Sequence, residues 1–132
     1  MITFRYKKEI SARGPTVIYR PVADVALKSN SGAWIEFNPY IDSGADFTLI
    51  PLSLGKLLGF SYKNMRSEKI GGISGSISAI NMTIPMRIGI YEFPAKISWA
   101  LIEDVPPLLG RSDVFDQFEI CFKQWDKIVV FD

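Results

Sequence analysis

The chain reads as an all-β fold, and three observations carry that reading. Segments rich in β-branched and aromatic residues alternate apolar and polar positions, as in Ile2, Phe4, Tyr6 and in Phe118, Ile120, Phe122. Turn-forming residues separate these segments, among them Gly14-Pro15, Ser31-Gly32 and Gly89. Length and composition, 132 residues with 48% hydrophobic and 22% charged, suit one domain with a real core over residues 1–132.

Taken in order, strands are expected over 2–9, 16–28, 32–41, 47–50, 66–73, 76–90, 92–102, 118–123 and 127–131. The last two form a C-terminal hairpin within 118–132, turning at Lys123-Gln124-Trp125-Asp126, and residues 1–15 read as an N-terminal extension. Two short helices interrupt the pattern. Pro51 suits a first helical position, Leu54, Leu57 and Leu58 are spaced for one apolar face, and Gly59 supplies the stop. Ser112 is placed to cap a second helix over 113–118. No internal repeat, linker or low-complexity segment is visible.

Absences narrow the chemistry. The chain has no histidine, which excludes Ser-His-Asp and Cys-His catalysis, HExxH zinc chemistry and Cys/His zinc fingers; no metal site and no organic cofactor is expected. The single cysteine, Cys121, cannot form an intramolecular disulfide, and its apolar surroundings in sequence predict a reduced core thiol, which favours a reducing, cytoplasmic compartment. No basic segment followed by an apolar one opens the chain, and no apolar run approaches the roughly 18 residues that span a bilayer, so no membrane partner is expected. Asn81-Met82-Thr83 is a glycosylation sequon, but nothing else points to secretion.

Net charge is +1 and unevenly spread. The first twenty residues hold Arg5, Lys7, Lys8, Arg13 and Arg20 against Glu9, whereas 101–132 hold seven acids against three bases. The alternation of Ile2, Phe4 and Tyr6 makes the basic end a strand with solvated charges, not a nucleic-acid surface.

The pentad Asp42-Ser43-Gly44-Ala45-Asp46 lies between two apolar runs, where a carboxylate can be held rigidly between strands. Gly44 permits close backbone approach, Ser43 can lock the loop by hydrogen bonds, and Ala45 leaves room for a substrate chain. Ser43 is no nucleophile, because nothing recognisable activates it. Downstream come the glycine-rich run Ile70-Gly71-Gly72-Ile73-Ser74-Gly75-Ser76-Ile77 and then Pro107-Leu108-Leu109-Gly110-Arg111; upstream sits Arg20-Pro21. A phosphate loop is excluded, since G-x-x-x-x-G-K-[ST] is absent and the residues after the glycines alternate as strand. The GxSxG elbow is absent too.

In chain order the four segments resemble the retropepsin-like aspartic proteases: the arginine-proline near the first strand, the active-site motif Asp-Thr/Ser-Gly-Ala, the flap hairpin and the second hydrophobic-hydrophobic-glycine signature, over roughly residues 17 to 122. The helix after the active loop and the longer tail look more like cellular or bacterial members than the compact retroviral enzymes. The resemblance implies a closed pepsin/retropepsin-like barrel, a single lobe with one or two short helices. Only one Asp-Ser-Gly is present, so one chain supplies half a site, and a twofold homodimer is implied.

The activity implied is an aspartic endopeptidase, a peptide hydrolase in which Asp42 of each subunit activates water against an extended peptide or protein substrate. Two carboxylates about 3 Å apart share one proton, so the expected pH–rate profile is bell-shaped with an acidic to near-neutral optimum. By the same resemblance Ser43 and Gly44 hold the paired active loops, and Tyr40, Ala45, Asp46, Leu49, Gly71, Gly72, Ile73, Pro106 and Leu108 border the substrate. Asp46 and Arg111 form an ion pair that Arg20 of the partner subunit joins. The alternative reading is a non-catalytic dimeric module of the same fold that binds peptides without cutting them.

Overall fold

A computed structural model describes residues 1–63, 65–72 and 75–132; Ile73, expected in the flap, lies outside the described residues. The fold is mostly β. The element order is β1 (Ile2–Arg5), β2 (Lys7–Ile10), β3 (Val17–Arg20), β4 (Val25–Lys28), β5 (Trp34–Phe37), β6 (Tyr40–Ile41), β7 (Thr48–Ile50), α1 (Leu52–Leu57), β8 (Glu68–Gly72), β9 (Gly75–Ile88), β10 (Tyr91–Ala100), β11 (Leu108–Leu109), β12 (Ile120–Lys123) and β13 (Ile128–Phe131).

The main sheet follows the order β5-β4-β9-β10-β7-β11-β6, with β8 paired to β9 off this path. It curls into a half-barrel. An antiparallel bridge between Val22, in the segment that leads into β4, and Tyr40 of β6 draws the two sides of the curl together, giving the single retropepsin-like lobe that is expected. Pairing stops there because Pro21 and Pro39 flank the bridge and lack the N–H that a continued ladder needs. The long hairpin β9–β10 is the spine, in register from Tyr91 opposite Ile88 to Ala100 opposite Ala79. Trp99, Ile97, Ala95, Met86, Ile88, Leu27, Ile50 and Leu109 are fully buried around it.

Three expected strands are broken. The run 2–9 divides at Tyr6, whose N–H bonds the Lys127 carbonyl while its side chain is buried, so β1 and β2 enter different sheets. The runs 16–28 and 32–41 divide around Pro21 and at Asn38-Pro39. The chain ends join in one three-stranded sheet, β1-β13-β12, tied to β10 by aromatic edges: Phe4 on Phe131, Phe131 on Phe118, and Phe118 on Tyr91 and Phe93. The N-terminal segment is therefore structural, while β2 and β3 form a separate two-stranded hairpin.

Helix α1 forms, with Pro51 as its N-cap and Gly59 at φ +88° closing it, the Gly59 and Phe60 N–H groups bonding the Lys56 and Gly55 carbonyls. Its buried contact is Gly55, not the expected stripe: Leu58 is buried but Leu57 is exposed. The second helix, over 113–118, is absent. Asp113 adopts φ +69°, which breaks the helical repeat, and its carboxylate accepts the Lys96 N–H of β10 at 2.9 Å. Residues 112–117 are turns instead. The core assignment of Cys121 is also overturned: it is exposed, on β12 at the edge of its sheet.

Candidate active site

Three short strands build the site. β11 runs parallel to β6 and antiparallel to β7, so the loop from Asp42 to Phe47, which joins β6 to β7, arches past the end of the strand lying between them. The Asp42 N–H bonds the Leu109 carbonyl at 3.0 Å, which fixes the backbone of the aspartate to β11. Its side chain is half-buried. The Gly44 N–H donates to Asp42 Oδ1 at 2.8 Å, and the Ala45 N–H donates to the Asp42 carbonyl at 3.2 Å, so the loop folds back onto its own carboxylate. A Cβ on Gly44 would come within 3.2 Å of that same oxygen.

The segment after β11 supports the loop from beneath. Gly110 donates its N–H to the hydroxyl of fully buried Thr48 at 3.2 Å, the Arg111 N–H bonds the Ala45 carbonyl at 2.9 Å, and the Ser112 N–H bonds the Asp46 carbonyl at 2.9 Å. The Arg111 guanidinium donates both to the Ser43 carbonyl and to the Asp46 carboxylate. It therefore spans the loop from one end to the other. The Ser43 side chain is exposed, and Asp46 is 75% exposed, so this ion pair sits at the surface of the chain and not in its interior.

Two cavities flank Asp42. One, about 470 Å³, is lined by Asp42, Tyr40, Ile41, Pro21, Pro106, Leu108, Glu9 and Arg20. The other, about 390 Å³, is lined by Gly44, Ala45, Asp46, Phe47, Leu49, Leu108, Ser98, and Ile70 and Gly71 of the β8–β9 hairpin. Leu108 is shared by both. Thus Tyr40, Pro106 and Leu108 gather beside Asp42, while Ala45, Asp46, Leu49 and Gly71 gather on its other side. Gly72 pairs with Gly75 at the end of the hairpin.

Within its own chain Arg20 meets residues that the sequence did not mark as its partners. Within the chain its Nε is 3.5 Å from Glu9, and its guanidinium lies over the Tyr40 ring at 5.9 Å; it does not join Asp46 and Arg111 of its own chain. Tyr40 donates its hydroxyl to Glu9. That hydrogen bond, with burial and the Glu9 charge adding to it, holds the Tyr40 phenol above its ordinary pKa. Glu9 is the residue sequence reasoning missed, because it stands in a charged strand far from every motif. Phe47, Ile70 and Ser98 were missed as well, and only the apolar character of Phe47 and Ile70 marked them as wall residues.

No protein-family model and no curated protein matches the chain. Solved structures do. A retropepsin-like aspartic protease from Rickettsia conorii superposes with a TM-score of 0.67 at 16% identity, covering 98% of this chain and 98% of that one. The EIAV protease, solved in complex with the inhibitor HBY-793, superposes with a TM-score of 0.53 at 20% identity, covering 70% of this chain and 82% of that one. Together with the half-barrel and the loop between β6 and β7, these matches establish that the chain has the retropepsin-like fold.

Proposed function

We propose that this chain is one half of a homodimeric aspartic endopeptidase. The observation that carries the reading is the placement of Asp42: a half-buried carboxylate at a strand end, oriented by the Gly44 N–H, between two cavities that can take side chains on either side of a scissile bond. Among the described residues no second carboxylate lines the cavity with Asp42 except Glu9, which is engaged by Tyr40 and Arg20. The partner's aspartate completes the pair.

In that pair one carboxylate is ionised and the other protonated, because two adjacent negative charges repel. The ionised member takes a proton from the bound water, the water oxygen attacks the scissile carbonyl carbon, and the protonated member gives its proton to the carbonyl oxygen. As the tetrahedral intermediate collapses the C–N bond breaks, the amine leaves with the proton that the first carboxylate drew from water, and the second carboxylate regains a proton from a hydroxyl of the intermediate. The extended peptide lies between the active loop and the β8–β9 hairpin, which closes over it as a flap.

The test compares wild type with Asp42→Asn on a peptide library. Cleavage by the wild type with an optimum at acidic to near-neutral pH, lost by at least about a thousandfold in the variant, is the expected result. Cleavage retained by Asp42→Asn would exclude the aspartate pair. Binding without cleavage by either protein would favour a peptide-binding module.

A further inference from the structure

We propose that the outer face of the main sheet carries a second binding site, separate from Asp42, for a short peptide with a free amino end and a free carboxyl end. The inference goes beyond the peptidase reading and does not depend on it.

A cavity of about 430 Å³ has Phe4, Asp24, Ala26, Glu36, Arg87 and Gly89 in its walls, and it shares no residue with either cavity beside Asp42. That volume suits a small ligand. Ala26 of β4 is directly opposed both to Glu36 of β5 and to Arg87 of β9, so the three side chains stand on one face of the sheet, and Asp24, two residues along β4, joins them. Val25 and Leu27, which alternate with them, are buried in the core, so this face is the outer one. The methyl of Ala26 makes a floor between longer side chains.

An acid and a base across such a floor would ordinarily pair, and here they do not. The Arg87 guanidinium lies over the Trp34 ring, 4.6 Å from its centroid; among the described residues it enters no ion pair, although Glu92 is directly opposed to it on β10 and Glu36 stands two strands away. Stacking fixes the plane of the guanidinium and leaves its N–H edge to serve a carboxylate. At the other end Glu36 also enters no ion pair among the described residues, and Asp24 accepts the neutral Asn38 amide at 2.6 Å, which leaves both negative charges for an ammonium.

Spacing and charge select the ligand. Glu36 and Arg87 are separated by one intervening strand, roughly 10 Å between backbones, and an extended di- or tripeptide spans roughly 7–11 Å. An anion alone would meet the two acids, and a cation alone would face Arg87. A zwitterion satisfies both ends, with Phe4 left for an apolar side chain.

The experiment is an NMR titration of backbone amides in the full chain with the dipeptide Ala-Phe, its N-acetyl form and its C-terminal amide. It is run in wild type and in Asp42→Asn, which alters the active loop and not this cavity. We expect saturable shifts at Ala26, Glu36 and Arg87 in both proteins, with a Kd on the order of 1 mM, and binding at least about tenfold weaker with either capped peptide. Arg87→Gln and Glu36→Gln should weaken binding by a similar factor with a folded spectrum, whereas Lys28→Gln should not, because Lys28 also lies over Trp34 but stands outside the cavity. Should Arg87→Gln disturb Trp34, the capped peptides on wild type still decide. Equal binding of free and capped peptides, or no saturable shift at these amides, overturns the proposal. Shifts confined to Gly44, Ala45 and Leu108 would overturn it too while leaving the peptidase reading intact. Binding at Ala26 and Arg87 by a protein that cuts no peptide leaves this site standing and counts only against the peptidase.

Discussion

Gly110 lies flat against the backbone of Phe47: a Cβ at Gly110 would stand 2.4 Å from both the carbonyl carbon and the carbonyl oxygen of Phe47. The active loop can pass over the end of β11 only because nothing projects there. Gly110→Ala must push Phe47 outward and stretch the bond from the Gly110 N–H to Thr48. Overpacking of this kind costs roughly 1–3 kcal/mol. Urea unfolding is expected to show a loss in that range, and any peptidase activity should fall further than stability alone explains, since the displaced segment carries Asp42.

Gly55 presents the same logic with a second contact, since its Cβ would fall 2.0 Å from Nε1 of the fully buried Trp99. In an exposed helix Gly→Ala gains about 1 kcal/mol. Here the sign reverses, because the indole also donates to the Leu52 carbonyl at 3.1 Å and cannot move without breaking that bond. Gly55→Ala is expected to lower Tm and shift tryptophan emission; a raised Tm would refute the contact.

Arg111 donates to two points of the active loop, so its loss should exceed that of an ordinary surface ion pair, which is worth about 0–1 kcal/mol. Arg111→Ala is expected to destabilise by about 1–2 kcal/mol, Arg111→Lys to recover only part of it because an ammonium cannot reach both acceptors as a fork does, and Asp46→Asn to cost less than either. Equal melting curves for wild type and Arg111→Ala would dismiss this role.

The N-cap of helix α1, Pro51, makes no side-chain hydrogen bond, and Glu103 supplies one from the loop that leads to β11: its carboxylate accepts the Ser53 N–H at 2.8 Å and the Ser53 hydroxyl. These bonds hold the Glu103 pKa below its usual value. A carboxylate whose folded pKa is depressed stabilises the fold above its unfolded pKa and loses that contribution as pH falls through the folded one. Glu103→Gln should therefore lower Tm at neutral pH, and the gap should close as pH drops below the ordinary glutamate value of about 4.3. A gap that persists unchanged in acid would show that the charge is not what matters.

Much of this was legible in the residues themselves. The strand pattern, the helix start at Pro51 with its stop at Gly59, the C-terminal hairpin and the active loop all follow from local chemistry, since alternation, proline and left-handed glycine act over a few residues. What failed did so where a distant partner overrides local preference. Ser112 is placed to cap a helix over 113–118, but the Asp113 carboxylate is claimed by the Lys96 N–H on β10. Cys121 has apolar sequence neighbours, yet the face of a strand that meets solvent depends on which sheet it joins.

The sequence by itself determined that the one Asp-Ser-Gly lies between strand-forming runs and that catalysis which needs histidine is closed to this chain. Only the tertiary structure decided that Glu9 reaches Tyr40, that Arg20 turns to Glu9, and that Arg111 spans the loop from Ser43 to Asp46. The physical reason is range. Backbone preferences are written within a turn or a strand, whereas the neighbours of a charged side chain are fixed by how sheets curl and which ends they bring together.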